Sequence, residues 1–201
     1  ISDIIWVSPQ NENKFYASSF GGGLLCFDDG QLSQRYSYYN SSLQTRIGFN
    51  STSVFVASTD FDEQGNLWVS NSFTDSPLSV MTSDGEWKSF YCGNQASNNL
   101  CTDLLVDDEL GYIWMILKGT GILVYDFNKT PLDDSDDQYK IIGTGEGAGS
   151  LPSSFVNCLE IDYDGEVWIG TDKGPAVFYN PSSIFNETTF DAQKILIDTA
   201  G

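Results

Sequence analysis

Ile161-Asp162-Tyr163-Asp164-Gly165-Glu166-Val167-Trp168-Ile169 is the stretch of sequence from which the fold follows. An apolar residue and Asp precede a turn that contains Gly, and an apolar residue and Trp follow it. The pattern recurs at 61–69 and, with one extra residue, at 106–115, and a degenerate copy at 11–17 has Asn13 in the Gly position. From Tyr16 through Trp68 and Trp114 to Trp168 the period is about 50 residues, which indicates four repeats.

Each repeat predicts four β-strands. The Asp accepts hydrogen bonds from turn amides and the Gly supplies a positive φ, so the two together predict a tight hairpin between the first and second strands. A small or polar connection then leads to a third apolar run, and a fourth, more alternating run ends the repeat. No window shows a sustained helical periodicity, so helices should be nearly absent. The predicted turn residues are Asp62, Gly65, Asp107, Gly111, Asp162 and Gly165.

Four strands per repeat at this period predict an all-β fold, a β-propeller of four consecutive four-stranded antiparallel blades. The expected blades are 1–40, 52–92, 99–143 and 153–198 of a single segment 1–201, with first strands near 2–8, 54–62, 100–107 and 155–162. The chain starts inside a first strand and finishes where a fifth unit would begin, so we expect it to be part of a larger propeller. Its end blades should make the chain oligomeric or aggregation-prone when it is expressed alone.

A single blade cannot bury both faces of its sheet, so bulky side chains should wedge between neighbouring blades. Their fixed place in the repeat assigns this core role to Tyr16, Trp68, Trp114 and Trp168. A sugar-stacking or base-stacking platform is the alternative role for these rings.

Composition excludes several classes of protein. The chain has 28 Asp+Glu against 9 Lys+Arg, a formal charge of −19, and no His. Such acidity repels nucleic acid and anionic membrane surfaces. Without His there is no Ser-His-Asp or Cys-His nucleophile and no His-ligated catalytic zinc. The sequence also has no apolar run near the roughly 20 residues of a membrane span, so no transmembrane segment is predicted.

The cysteines and the acidic run carry weak signals. Cys26, Cys92, Cys101 and Cys158 form no Cys-x-x-Cys pair, so they are buried thiols, or Cys92 and Cys101 form a disulfide in an oxidising compartment. Asp133-Asp134-Ser135-Asp136-Asp137 lacks the spacing of a calcium loop and is interpreted as a solvated loop. No metal site and no cofactor are predicted.

The last repeat resembles the two-component regulator propeller family. The resemblance rests on Leu151-Pro152-Ser153-Ser154-Phe155-Val156, Leu159, Ile161-Asp162, Gly165, Val167-Trp168-Ile169-Gly170-Thr171 and Gly174. Val69-Ser70-Asn71 and Met115-Ile116-Leu117 depart from the family's Ile-Gly-Thr. The segment 177–185 and Asp191-Ala192-Gln193 look most like the PorZ-like propellers of the type IX secretion system. The other setting of such repeats is the periplasmic, carbohydrate-sensing half of hybrid histidine kinases in Bacteroidetes.

The resemblance implies a non-enzymatic binding or scaffold module outside the cytoplasm, on the bacterial surface or in the periplasm. Implied partners are the remaining blades of the same protein, other secretion or envelope proteins, and a carbohydrate or lipopolysaccharide. The competing hypothesis is an enzyme of the propeller glycosidase or lyase type, which would use acidic and Tyr side chains.

The longer connections predict where a ligand or partner binds. Loops between blades and turns between the second and third strands emerge at one end of a propeller, where adaptable loops stand on a rigid scaffold. Three of the nine basic residues fall there, which predicts a polar groove or channel mouth that makes charge-assisted hydrogen bonds to a carbohydrate or a protein segment, including an anionic one. The candidate binding residues are Arg46, Phe49, Lys118, Thr120, Asp172 and Lys173.

Overall fold

The computed structural model of the chain describes residues 4–50 and 52–196. Within these ranges the chain folds into eighteen strands and one four-residue helix, α1 (Ser183–Asn186). No described helix is long and apolar enough to cross a membrane. The strands are β1 (Ile4–Pro9), β2 (Lys14–Gly21), β3 (Gly23–Asp28), β4 (Gln31–Tyr36), β5 (Val54–Phe61), β6 (Leu67–Asn71), β7 (Leu78–Met81), β8 (Trp87–Phe90), β9 (Cys101–Asp107), β10 (Tyr112–Leu117), β11 (Gly121–Asp126), β12 (Gln138–Ile142), β13 (Ala148–Gly149), β14 (Val156–Ile161), β15 (Val167–Thr171), β16 (Gly174–Phe178), β17 (Phe190–Asp191) and β18 (Gln193–Lys194).

Antiparallel units of four strands repeat along the chain and confirm the predicted all-β propeller class. The units are β1 to β4, β5 to β8, β9 to β12, and β14, β15, β16 with β18. Their first strands begin at Ile4, Val54, Cys101 and Val156. Residues 1–3, 51 and 197–201, some of which the predicted blades include, lie outside the described residues. The boundaries of a single domain remain a prediction.

Two pairings depart from separate blades. β2 and β5 pair at Phe20 with Phe55 and at Gly21 with Val54, which joins the first two blades into one eight-stranded sheet. β13, in the connection between the third and fourth blades, pairs in parallel with β17. Both pairings tie together segments that are distant in sequence.

The innermost strands are linked from blade to blade by side chains. Ser8 donates from Oγ to the carbonyl oxygen of Thr59 at 2.7 Å. Asp60 accepts from the Val106 amide at 3.0 Å, and the Asp103 carboxylate accepts from the amide of Leu159. Because the links repeat from the first blade to the fourth, they fix the stacking of successive blades.

Large aromatic rings fill the spaces between blades. Tyr16 packs edge-on against Phe61, with the ring centres 5.9 Å apart. The distance between ring centres is 4.7 Å for Trp68 and Phe127 and 5.8 Å for Trp114 and Phe178. Each ring thereby contacts the following blade. Tyr16 is 2% exposed, and Trp68 and Trp114 are completely buried.

Trp168 does not share this burial, and its assignment to the buried core was wrong. It is 37% exposed. The equivalent rings are covered by the next blade along the chain, and no blade follows the fourth among residues 4–50 and 52–196. The ring therefore presents one face to solvent.

In two of the predicted hairpins the Asp residue accepts hydrogen bonds both from turn amides and from the Trp of the second strand. Asp62 accepts from the amides of Gln64 and Asn66 and from the indole nitrogen of Trp68 at 3.0 Å. Asp162 repeats this pattern, and its bond from Trp168 is 2.8 Å. Gly65 and Gly165 supply the positive φ of 79° and 76° at these turns.

The third hairpin is one residue longer and differs. Asp107 accepts from the Leu110 amide at 3.0 Å, and Gly111 has a φ of 76°. The buried indole nitrogen of Trp114 has no hydrogen-bond partner among the described residues. The extra residue thus separates the Asp from its Trp.

The cysteines are free thiols, so the alternative of a bridge between Cys92 and Cys101 is not what the structure shows. Both side chains are completely buried in the core between the second and third blades. Burial raises the pKa of both thiols, that of Cys101 to about 12. Within this apolar core the thiols pack as small hydrophobic groups.

Candidate binding surface on the inter-blade loops

The predicted binding residues lie where two kinds of loop meet. In three blades, the first amide after the second strand donates to a carbonyl oxygen at the start of the first strand. These bonds run from Ser72 to Phe55, from Lys118 to Leu100 and from Asp172 to Phe155, at 2.8, 2.9 and 3.1 Å. We call the surface formed by these turns and the connections between blades the loop rim, which comprises residues 40–50, 72–77, 92–100, 118–120, 143–155 and 172–173.

Hydrogen bonds tie the first loops of the rim together. The Ile47 amide donates to the carbonyl oxygen of Phe73 at 2.9 Å, and the Phe73 amide donates to that of Asn99 at 2.8 Å. The Asn99 side-chain amide donates to Thr120 Oγ1 at 3.1 Å. This part of the rim is therefore an ordered surface that spans the first three blades.

Arg46 lies between two aromatic rings on this surface. Its guanidinium carbon is 4.3 Å from the centre of the Phe49 ring and 4.5 Å from that of Phe73. Each such contact contributes roughly 0.5–2 kcal/mol and holds the planar group in one orientation. Arg46 is half-buried, Phe49 is 60% exposed, and Arg46 Nε has no hydrogen-bond partner among the described residues.

Further aromatic rings support this arrangement. The centre of the Phe55 ring lies 4.8 Å from that of Phe20 and 5.8 Å from that of Phe73, and both pairs of rings pack edge-on. Phe73 has a φ of 63°, in the left-handed region, which turns its backbone towards both flanking connections. Sequence reasoning missed Phe20, Phe55 and Phe73. Ser72-Phe73 replaces the short polar turn of the other repeats, and that departure is the signal that would have found Phe73.

The other candidates occupy the same end of the fold but do not converge. Lys118, Asp172 and Lys173 are exposed on the turns of the third and fourth blades. Thr120 is half-buried, and its hydroxyl holds Asn99. The one ion pair of the described chain joins Lys88 and Asp134, so none of these cations is paired there. The structure thus places Arg46 with Phe49 and leaves Lys118 and Lys173 on separate turns.

A cavity that the sequence did not indicate lies at the opposite end of the fold. It has a volume of about 260 Å³ between the hairpins of the third and fourth blades. Burial raises the pKa of Asp107, one of its lining residues. No group of three or more potential metal ligands occurs in the described part of the chain. The lining residues are Asp107, Glu109, Leu110, Asp164, Gly165, Tyr179, Asn180, Pro181 and Ser182.

Two half-buried acids near the innermost strands bear on the enzyme hypothesis. Burial raises the pKa of both Asp60 and Asp103. However, Asp60 accepts from the amides of Phe61 and Val106, and Asp103 accepts from the Leu104 amide at 2.9 Å. These carboxylates are engaged in holding the backbone, which is a structural role.

A family model described as two component regulator propeller matches residues 150–173. These residues therefore resemble one two component regulator propeller repeat. The repeat runs from the end of the third connection through β14 and β15 to the turn that carries Lys173. It includes Asp162, Gly165 and Trp168, so the hairpin described above is part of the family pattern.

Solved structures share the fold of this propeller. PorZ of Porphyromonas gingivalis, described as an essential bacterial surface component of the type IX secretion system, matches with a TM-score of 0.79 and 22% identity over 96% of this chain and 27% of its own. The extracellular domain of a hybrid two component system of B. thetaiotaomicron matches with a TM-score of 0.60 and 18% identity, over 96% of this chain and 23% of its own. The chain therefore spans about a quarter of either relative.

An enzyme also shares the fold. Virginiamycin B lyase of Staphylococcus aureus matches with a TM-score of 0.62 and 12% identity, over 96% of this chain and 55% of its own. None of the curated proteins matches the chain in sequence. Similarity at these identities shows a common propeller fold and assigns no activity.

Proposed function

We propose that the chain is part of a non-enzymatic, extracytoplasmic binding or scaffold propeller of the PorZ-like kind, which recognises an anionic group at the loop rim. The observation that carries the proposal is Arg46, held between Phe49 and Phe73 without an acidic partner among the described residues. The two rings hold the guanidinium in one orientation and it forms no ion pair in the described part of the chain, so its charge is available to an anionic ligand.

The chemistry of this site favours binding. Arg presents several N–H donors in a planar fork that matches carboxylate, phosphate or sulfate oxygens. Exposed aromatic rings beside an Arg are typical of the residues that contribute most to binding energy. The two Phe rings already restrict the guanidinium, so less conformational entropy is lost when a ligand binds. The expected ligand is an acidic saccharide or an acidic segment of an envelope protein.

The non-enzymatic part of the proposal rests on the acids. Asp60 accepts from the Val106 amide of a neighbouring strand, and Asp103 accepts from the Leu104 amide of its own strand. Asp62 and Asp162 accept from turn amides and from indole nitrogens. A glycosidase needs two carboxylates placed on either side of a substrate bond. The carboxylates of these four residues instead stabilise the fold, because they accept hydrogen bonds from the backbone or from indole nitrogens.

The fold similarity to PorZ, which is a surface component, supports an extracytoplasmic location and an assembly role. Proposed partners are further blades of the same protein and other envelope or secretion proteins. The second candidate function is a carbohydrate-sensing domain of a hybrid two component system. It is favoured by the match of residues 150–173 to the regulator propeller model.

The test uses polygalacturonate, an acidic polysaccharide, with neutral dextran for comparison. Replacing Arg46, Lys118 and Lys173 together by Ala should weaken polygalacturonate binding at least about tenfold, because charge-assisted hydrogen bonds are lost. The matched control replaces Lys14, Lys129 and Lys194 by Ala, which changes the net charge equally. Calorimetric titration measures affinity, and thermal unfolding should change little.

Several results would overturn the proposal. They are equal weakening by the two triple variants, equal binding of dextran, or no binding of polygalacturonate at all. Cleavage of polygalacturonate that disappears in Asp60→Asn would establish the enzyme hypothesis instead. The sequence of the complete protein beyond the propeller distinguishes the two candidate functions, because a membrane span with a kinase core identifies a sensor.

A further inference from the structure

A second cavity lies between the outer strands of the second and third blades. Its volume is about 210 Å³. Tyr125 on β11 and Tyr139 on β12 are directly opposite each other, so both project from the same face of the sheet. Phe90 on β8 faces Tyr125, with their ring centres 5.0 Å apart. The lining residues are Phe90, Tyr91, Tyr125, Asp134, Asp137 and Tyr139.

The size and lining of this cavity restrict what it can hold. Sites for whole drug-sized ligands have volumes of roughly 300–1,000 Å³, so 210 Å³ suits one side-chain-sized group. Four aromatic rings and two carboxylates surround it. Aromatic faces and carboxylates both attract positive charge, and rings arranged as a cage are a recurring site for alkylammonium groups.

Asp137 contributes a negative charge that the described residues do not fully compensate. Its Oδ2 accepts a hydrogen bond from the Tyr125 hydroxyl. Its Oδ1 is buried and has no donor in the described part of the chain. A buried carboxylate oxygen without a donor is destabilising. A cation in the adjacent cavity would offset this charge without having to reach the buried atom.

Lys88 shows that an ammonium group is stable beside this cavity. Its Nζ is 2.9 Å from Asp134 Oδ1 and 5.6 Å from the centre of the Phe90 ring, and it donates to the Leu132 carbonyl oxygen at 2.7 Å. Lys88 therefore pairs with one of the two lining carboxylates and forms no ion pair with Asp137.

We infer that this cavity binds a primary alkylammonium group, either a free amine or the end of a lysine side chain. The Tyr rings line the site of the cation and Asp137 supplies the opposite charge. None of the lining residues belongs to the loop rim, so the inference stands independently of the proposed function.

The test titrates the purified protein at pH 7.5 with n-butylammonium, followed by saturation-transfer NMR. n-Butanol, which has the same chain without the charge, is the comparison ligand. The wild-type protein should bind butylammonium saturably and at least about tenfold more tightly than butanol. Asp137→Asn keeps an acceptor for the Tyr125 hydroxyl and should weaken binding at least about fivefold, and Tyr139→Leu at least about threefold.

Asp136→Asn is the matched control, because it removes one charge from the same loop but Asp136 does not line the cavity. Its affinity should stay within about twofold of wild type. Tighter binding of a Gly-Lys-Gly peptide than of butylammonium identifies a polypeptide side chain as the source, and the reverse order identifies a free amine. The inference is overturned if no ligand saturates, if butanol binds equally well, if Asp136→Asn weakens binding as much as Asp137→Asn, or if only a neutral sugar such as methyl glucoside binds.

Discussion

Trp68 and Trp114 occupy equivalent positions, yet their indole nitrogens have different surroundings. Trp68 donates to the carboxylate of Asp62, whereas the Trp114 nitrogen is buried without a partner among the described residues. A hydrogen bond to a charged acceptor contributes about 1.5–3 kcal/mol, and an unsatisfied buried donor costs about 1–3 kcal/mol. The two rings should therefore differ in how well they tolerate loss of the nitrogen.

Replacing Trp68 by Phe should lower the free energy of unfolding by about 1–2 kcal/mol more than Trp114→Phe does. Both changes remove similar ring area, but only the first breaks a hydrogen bond, and the second removes an unsatisfied donor. Urea denaturation of the two variants measures the difference. Equal losses, or a larger loss for Trp114→Phe, would contradict the assignment of the two nitrogens.

Asp137 should make stability depend on pH. Burial, with the nearby charges of Asp136 and Asp134, raises its pKa to about 6, although the Tyr125 hydrogen bond and Lys88 lower it. The unfolded value is about 3.9, so the folded state binds the extra proton between these pH values. The contribution of Asp137 to the free energy of unfolding is therefore complete below pH 4 and is lost as the pH rises through 6.

The expected result is that Asp137→Asn gains stability relative to wild type as pH rises from 4 to 7. Chemical denaturation at several pH values measures this gain, and Asp136→Asn is the control for general charge effects. A difference between variant and wild type that stays constant across this range would show that the folded protein does not perturb Asp137.

At the scale of the element, two glycines begin the third strand of their blades. Gly121 opens β11 with a φ of 129°, and a Cβ there would lie 2.0 Å from the Ile142 carbonyl oxygen. Gly174 opens β16 with a φ of 111°, and no described atom lies within 4 Å of a Cβ built there. The difference arises because β12 pairs with β11 from Ile122, next to Gly121, to Asp126, whereas β18 pairs with only Ala176 and Val177 of β16.

Gly174→Ala should cost about 1–3 kcal/mol, from backbone strain alone. Gly121→Ala should cost at least about 1–3 kcal/mol more, because the new methyl group must also displace the β12 backbone. Thermal and urea unfolding of both variants measure these costs. Similar losses in the two variants would mean that β11 and β12 can separate freely at this end.

The hairpins show what could be predicted from sequence. Asp62 and Asp162 act on amides within four residues, so local chemistry sets the position of these turns, and β5 begins at Val54 as predicted. The contact of Arg46 with Phe73 and the pairing of β2 with β5 could not be predicted in this way, because their partners lie in other loops or blades. Arg46 and Phe49 were named from their loop and from the charge of Arg46, whereas Phe73, the second ring that orients the guanidinium, was missed.

At the scale of the whole molecule, the fourth blade has an uncovered face. Trp168 is 37% exposed there, and Cys158, on the neighbouring strand, is also exposed. The equivalent faces of the preceding blades are buried by large aromatic rings. A large aromatic ring exposed at the end of a stack of blades promotes association.

The 201-residue chain should therefore self-associate through this face, and Trp168→Glu should shift it towards monomer. Tyr163→Ser is the control, since Tyr163 is fully exposed on the hairpin. Sedimentation velocity over a range of concentrations measures the shift. A chain that is strictly monomeric before any substitution would contradict the prediction.

The parallel pairing of β13 with β17 has a consequence for synthesis on the ribosome. Asp191 accepts from the amides of Gly147 and Gly149, at 3.0 and 3.1 Å, across more than 40 residues of chain. At roughly 5–20 residues per second, Asp191 is added to the chain about 2–9 s after these two glycines. The first three blades use strands made in immediate succession and can close as they emerge. The connection into the fourth blade stays open during this interval, so a pause in translation between residues 150 and 190 would leave it exposed to chaperones and proteases.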